Sequence, residues 1–282
     1  MRRRQRGVAL LSVLLVMSLA LLLTAGMLRS HHLMLQSSAR QLHQLQLRQW
    51  ALAAEAWAKV TLAANVDLPQ KVHPGQDWAH LRWPFETDGA QVRVHIEDLC
   101  GRFNINALLG EGQVDEVVRQ RWSHLLDSLA LPALELSANA TVQELSQLRV
   151  LPGISHEFLR RLEPWVAVLP RDAALNINTA PAPVLAALEG MSMATAEALI
   201  KQRPDDGYAS AQAFTHDPLV AGLGLSSQGL GIGCRWFRVS VDVRQGTSQL
   251  RMASEVEHER KTGRWRVVQR RFLPPTSSEI AL

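Results

Sequence analysis

Cysteine is nearly absent from this 282-residue chain, which holds only Cys100 and Cys234. Two thiols cannot build a four-thiolate zinc site, and no pairing with histidine shows metal-ligand spacing. Catalytic signatures are missing as well: there is no Gly-x-Ser-x-Gly, no His-Glu-x-x-His and no glycine-rich phosphate cradle. Charge of either sign is absent from Val8 to Leu28, and proline and glycine are absent from Arg29 to Ala64. The first absence admits a helix across a hydrocarbon core. The second admits an unbroken helix behind it, since Leu, Gln, Ala, Arg, Glu and Lys are good helix formers.

What is present is an ordinary globular composition, 47% apolar and 20% charged, with a net charge of +4. Arg2, Arg3, Arg4 and Arg6 alone supply that excess, so it is no footprint of nucleic-acid binding. Basic residues beside an apolar run stay on the side of synthesis. Three uses of "MRRRQRG" and the run after it remain open: a plain membrane anchor, a secretory signal, or a leader cut at Gly7. Thr24-Ala25-Gly26 supplies small residues for a signal peptidase. Against that use stands the helical continuation, in which Leu35, Leu42, Leu45, Leu52 and Ala56 recur on one helix face. Together the two stretches predict one helix on the order of 80 Å long. An anchor followed by a coiled-coil stalk reads the same way. His31 and His32 fall where the helix leaves the membrane and read as a solvated pair rather than a metal site.

After the helix, residues 68–85 are rich in proline and aromatics and read as an irregular connection. Val92, Val94 and Ile96 then alternate with Arg93, His95 and Glu97, predicting a half-buried strand over 91–99. Three further alternating runs come at the far end. Phe237, Val239, Val241 and Val243 mark the first, Leu250, Met252, Ser254 and Val256 the second, and Trp265 to Phe272 the third. The links at Gln245-Gly246 and Thr262-Gly263 make them an antiparallel meander. A long helix packed on such a sheet is an α+β fold.

Roughly 130 residues separate the first strand from the others, too many for a loop. Val114, Val117, Val118, Leu125 and Leu129 stand at helical spacing. Thr141 with Glu144 forms a capping-box pattern, and Pro152-Gly153 breaks the chain before another helical segment. The prediction is a mainly helical insert. Its turns Gly153-Ile154-Ser155 and Gly190-Met191-Ser192 resemble those of helix-hairpin-helix repeats. Versions that bind nucleic acid usually read Gly-Ile-Gly, the glycines letting backbone amides approach a phosphate. The second glycine is missing from both turns, and Asp205 with Asp206 opposes a polyanion. Packing and partner recognition is the expected use, with a membrane-anchored DNA-binding protein of a competence system as the alternative.

"QRG" followed by "VALLSVLLVMSLALLL" resembles the class III leader of type IV pilins and type II secretion pseudopilins. The resemblance implies cleavage between Gly7 and Val8 by a prepilin peptidase, and methylation of the new Val8 amine. Most such proteins carry Glu at the fifth mature position, where this chain has Ser12. A carboxylate without an amine partner is costly in lipid, so its loss suits a fibre's outermost subunit. Two further segments, "DLCGRFNINAL" and "LNINTAP", are similar to segments of the minor pseudopilin family called protein K of type II secretion. They contribute Asp98, Gly101, Arg102, Phe103, Asn104, Asn106, Asn176, Asn178, Thr179 and Pro181. The four asparagines alternate with apolar residues and read as backbone-bonding turn formers rather than as chemistry.

The resemblance implies a pilin-like α+β fold and an order of parts. These are a leader (1–7), a membrane-spanning stretch (8–28), a periplasmic stretch of the same helix (29–64), the first part of a pilin-like domain (65–103), the helical insert (104–232), returning strands (233–273) and a tail (274–282). It implies a single-pass inner-membrane protein with a periplasmic body and no enzymatic activity. The implied partners are minor pseudopilins of I, J and H type, the major pseudopilin, the prepilin peptidase and the inner-membrane assembly platform, with no nucleic acid. A minor pilin of a type IV pilus shares the leader and is the other alternative. No cofactor is expected. Calcium, which relatives of this family bind, has candidate ligands in Glu255, Glu257 and Glu259, but these read first as a charged sheet edge. Cys100 ends the first strand and Cys234 precedes the second. If those strands are neighbours outside the cytoplasm, a disulfide closes the root of the insert.

Overall fold

The structure, a computed structural model, describes residues 4–85, 89–109, 114–136, 141–151 and 153–274. The first three leader residues, Pro152 and the tail from Pro275 lie outside the described residues. In chain order the elements are α1 (Arg4–Ala64), β1 (Ala90–Asp98), β2 (Phe103–Asn104), α2 (Glu116–Ser128), α3 (His156–Leu162), β3 (Val166–Ala167) and β4 (Leu175–Asn176). They continue with α4 (Ala182–Leu185), α5 (Met193–Gln202), α6 (Ala211–Thr215), β5 (Leu230–Gly231), β6 (Trp236–Gln245), β7 (Ser248–His258) and β8 (Trp265–Leu273).

The chain divides into two compact units, one ending at Trp50 and one beginning at Ala51. The first is the N-terminal part of α1. Its apolar side chains from Leu10 to Leu28 are exposed, and the helix is long and apolar enough there to cross a membrane. Leu35, Leu42 and Leu45 are exposed, as is Ala56. Within the second unit the buried face of α1 is Ala51, Ala54, Glu55, Ala58 and Leu62. Alanines let a helix approach a sheet closely, which a row of leucines would prevent.

The main sheet is antiparallel, in the order β1-β6-β7-β8. Val239, Val241 and Val243 on β6 join Ile96, Met252 and Val256 in its buried face, as period-two alternation requires. Gly246 and Gly263 take φ of +56° and +64° in the connecting turns, a region costly for side chains.

Between β1 and β6 the insert carries its own core, in which Ile105, Leu125, Leu148, Leu162, Leu185 and Phe214 are fully buried. Two parallel two-stranded pairs, β2 with β3 and β4 with β5, brace it. Asp115 caps α2 by accepting from the Val117 amide at 2.9 Å. The predicted capping box shifts by one turn. Residues 145–150 form a 3-10 helix with Glu144, not Thr141, at its N-cap, and Gln147 Oε1 accepts from the amides of Gln143 and Glu144.

Candidate functional site: the root of the insert

Asp98 ends β1 and turns inward. Its Oδ1 accepts from the Cys100 amide at 2.8 Å, while Oδ2 accepts from Asn176 Nδ2 and Thr179 Oγ1, each at 2.6 Å. Burial disfavours the charged form and outweighs these three donors, lifting the carboxyl to about 6. Cys100 and Cys234 are joined in a disulfide with Cα atoms 5.7 Å apart. β1 and β6 are indeed adjacent, so the bond ties the start of the insert to its end. Beside it, a Cβ added to Gly101 would lie 2.8 Å from Thr179 Oγ1, which is why no side chain fits there. Arg102 spans outward, donating to Glu97 Oε1 at 2.7 Å and to the Glu163 carbonyl at 3.0 Å. Phe103 packs its ring 5.6 Å from Trp122.

The four asparagines form two copies of one device. Asn104 Oδ1 accepts from the Asn106 amide, and Asn176 Oδ1 from the Asn178 amide, at 3.1 and 3.0 Å. Each pair thus closes its own turn by an asparagine bonding two residues ahead. The second asparagine of each pair then clamps a distant backbone reciprocally. Asn106 donates to the Val142 carbonyl and accepts from the Val142 amide, both at 2.9 Å. Asn178 treats Tyr208 in the same way, at 3.2 and 2.7 Å. Asn106 also donates to the Leu169 carbonyl, and Asn104 to the Pro170 carbonyl. Asn176 reaches Val72 in the connection after α1. A Cβ on Gly207, at φ +69°, would sit 2.7 Å from Asn178 Cγ, so glycine there belongs to the clamp. Pro181 occupies the N-cap of α4.

The hairpins explain their own missing glycines. Gly153 and Gly190 take φ of +84° and +68°. The serines two residues on are N-caps: Ser155 accepts from the Phe158 amide at 3.0 Å and Ser192 from the Thr195 amide at 3.1 Å. The side chain thereby satisfies an amide that would otherwise face an anion.

Two polar contacts had no clear sequence signal. Glu55, buried on α1, accepts from Arg270 Nε and Nη2 at 2.8 and 2.7 Å and from Ser254 Oγ at 2.5 Å. Buried Arg121 forks onto Glu189 and donates to the carbonyls of Ser226 and Gln228. An acid on an alanine-rich helix and an arginine on an amphipathic one otherwise read as solvated.

The expected charged edge is corrected. β7 lies inside the sheet, between β6 and β8. Glu255 there meets Arg238 and Arg271, and Glu257 meets Arg235 and Arg266. Carboxylates so matched with guanidinium groups fit a cation poorly. Among the described residues the one cluster of metal-ligating types is Asp98 with Cys100 and Cys234, whose sulfurs are consumed in their own bond. Gly7 and Val8 lie within α1, and Ser12 in its exposed apolar stretch.

The fold resembles a chain in the crystal structure of the GspK-GspI-GspJ complex from the enterotoxigenic Escherichia coli type 2 secretion system. The TM-score is 0.72 and identity 20%, over 84% of this chain and 99% of that one. The family model for type II secretion system protein K matches residues 175–233, from the second asparagine pair to the residue before Cys234. Type II secretion system protein K of Pseudomonas aeruginosa is 32% identical over 96% of this chain and 93% of that protein. The protein of the same name from Pectobacterium carotovorum is 30% identical over 90% of this chain and 93% of its own length. The site and fold are those of a pilin-like scaffold with a braced helical insert. The chain belongs to the type II secretion system protein K family, and is a minor pseudopilin of that system.

Proposed function

We propose that this chain caps the tip of the periplasmic pseudopilus and helps initiate its assembly for export across the outer membrane. The observation that carries the reading is likeness to protein K relatives along nearly the whole chain. Supporting it is the insert, a body with its own core fixed at both ends by the Cys100–Cys234 bond, bulky enough to bar another subunit from stacking above. A prepilin peptidase would cut between Gly7 and Val8 and methylate Val8. The apolar stretch of α1 would then hold the protein in the inner membrane until it joins the fibre through helix packing.

The similar solved chain was crystallised with GspI and GspJ. We extend that to minor pseudopilins of I, J and H type as partners here, together with the major pseudopilin and the assembly platform. The role is one of assembly rather than catalysis, with no cofactor and no nucleic acid. No calcium site is assigned to Glu255, Glu257 or Glu259. Co-purification of the full chain from detergent with its I- and J-type neighbours is the test. A stable complex is expected; no complex, where those neighbours still bind each other, would overturn the tip role.

A further inference from the structure

β8 is an edge strand, with no described strand on its outer side. β7 is its only strand neighbour among the described residues. At the opposite edge, by contrast, the 3-10 turn Asp77–His80 lies against β1. Unpaired amides and carbonyls along an edge are a template for another extended chain. The register slips between Glu255 and Val256, leaving Val268 outside the pairing and 55% exposed. Straight strand remains on the far side of that bulge, from Gln269 to Leu273.

The charge of this edge is predominantly positive, with Glu259 in the preceding turn and Glu144 beside Gln269 as nearby acids. Arg260 to Pro274 include Arg260, Lys261, Arg264, Arg266, Arg270 and Arg271 and no acid. Three of these are answered from neighbouring elements, Arg266 by Glu257, Arg270 by Glu55 and Arg271 by Glu255. Arg260, Lys261 and Arg264 are exposed and pair with no acid among the described residues. A purely protective edge would be served by charge alone, but here exposed Val268 and part-exposed Leu273 lie among the arginines. Two copies of this edge repel each other, so a second copy of the chain is disfavoured. On its inner side β8 already pairs with a strand that alternates acidic and apolar residues, Glu255-Val256-Glu257.

We propose that the outer edge of β8 docks an extended segment of a partner protein in which acidic and apolar residues alternate. Main-chain bonds would supply affinity, and the unanswered cations would select the sequence. The inference goes beyond the tip role and does not depend on it. The probe is a fluorescent peptide copying residues 253–259, set against the same peptide with lysine for each glutamate. Anisotropy is measured with the full chain in detergent micelles. Saturable binding that weakens with salt is expected for the acidic peptide, and binding roughly tenfold weaker for the lysine peptide. The variants Val268→Asp and Arg264→Glu, both at exposed positions, should each weaken the acidic peptide while circular dichroism stays unchanged. Equal binding of the two peptides, no binding of the acidic one, or full binding by both variants overturns the proposal. So does binding that emerges only after removal of residues 275–282, which would give the edge to the chain's own tail. Self-association abolished by Val268→Asp without peptide binding would give it to a second copy.

Discussion

Asp98 is held between opposed demands. Burial raises its carboxyl from an ordinary 3.8 to about 6, against three donors that favour the charged form. Between those values the folded state binds a proton that the unfolded state has released. The stability Asp98 contributes is therefore full below about pH 3.8 and is lost as the pH rises through about 6. The loss is on the order of 3 kcal/mol. Glu55 runs the other way: burial opposes its charge, but the bonds from Arg270 and Ser254 prevail and lower its carboxyl. Its contribution is present above its ordinary value of 4.5 and fades on acidification, so above pH 4.5 a difference between the parent and an Asp98 variant reports Asp98 rather than Glu55. In Asp98→Asn the amide keeps one acceptor oxygen but turns donors toward Asn176 or Thr179, costing about 1–3 kcal/mol. Urea unfolding from pH 4.5 to 7 should show stability falling with pH more steeply in the parent than in this variant. Parallel curves would mean that Asp98 does not titrate there.

The insert is an element added between β1 and β6, and the disulfide is its clasp. With the cysteines 134 positions apart in sequence, chain-entropy arguments assign the bond about 4–5 kcal/mol. The double variant Cys100→Ala, Cys234→Ala should lose stability of that size in urea, and reductant should bring the parent down to match it. A loss below about 1 kcal/mol would show that the asparagine clamps alone hold the root. The strands of the main sheet were legible because alternation is a local property that neighbours in sequence report. The clamps were half legible. Asparagine at those positions announces a turn, but Val142 and Tyr208 lie 36 and 30 residues from the asparagines that hold them. Nothing local ties them together. The buried face of α1 was not legible for a related reason: leucine spacing reports where a helix is apolar, not which side a sheet approaches. The side chosen is the one whose alanines allow contact, with Glu55 placed to meet Arg270, 215 residues away.

At the scale of the molecule the question is how one chain serves as both membrane protein and fibre subunit, and the N-terminus decides it. Intact-mass measurement of the protein from membranes distinguishes the three uses of "MRRRQRG". A start at Val8 carrying one methyl group is expected; a start at Met27 would mean a secretory signal, and an intact Met1 a plain anchor. Ser12 then carries the argument about position. In a subunit packed below another, an acid here would meet the neighbour's terminal amine and be neutralised in lipid. In an outermost subunit it would find no such partner, and an unpaired carboxylate at a helix centre costs about 2.5–3.5 kcal/mol by insertion scales. Ser12→Glu should therefore lower the protein's recovery in the complex with its I- and J-type neighbours while leaving cleavage at Gly7 intact, read by co-purification and mass on one sample. Full recovery of the complex by the Ser12→Glu variant would show that this position meets an amine after all, and the outermost placement would fail.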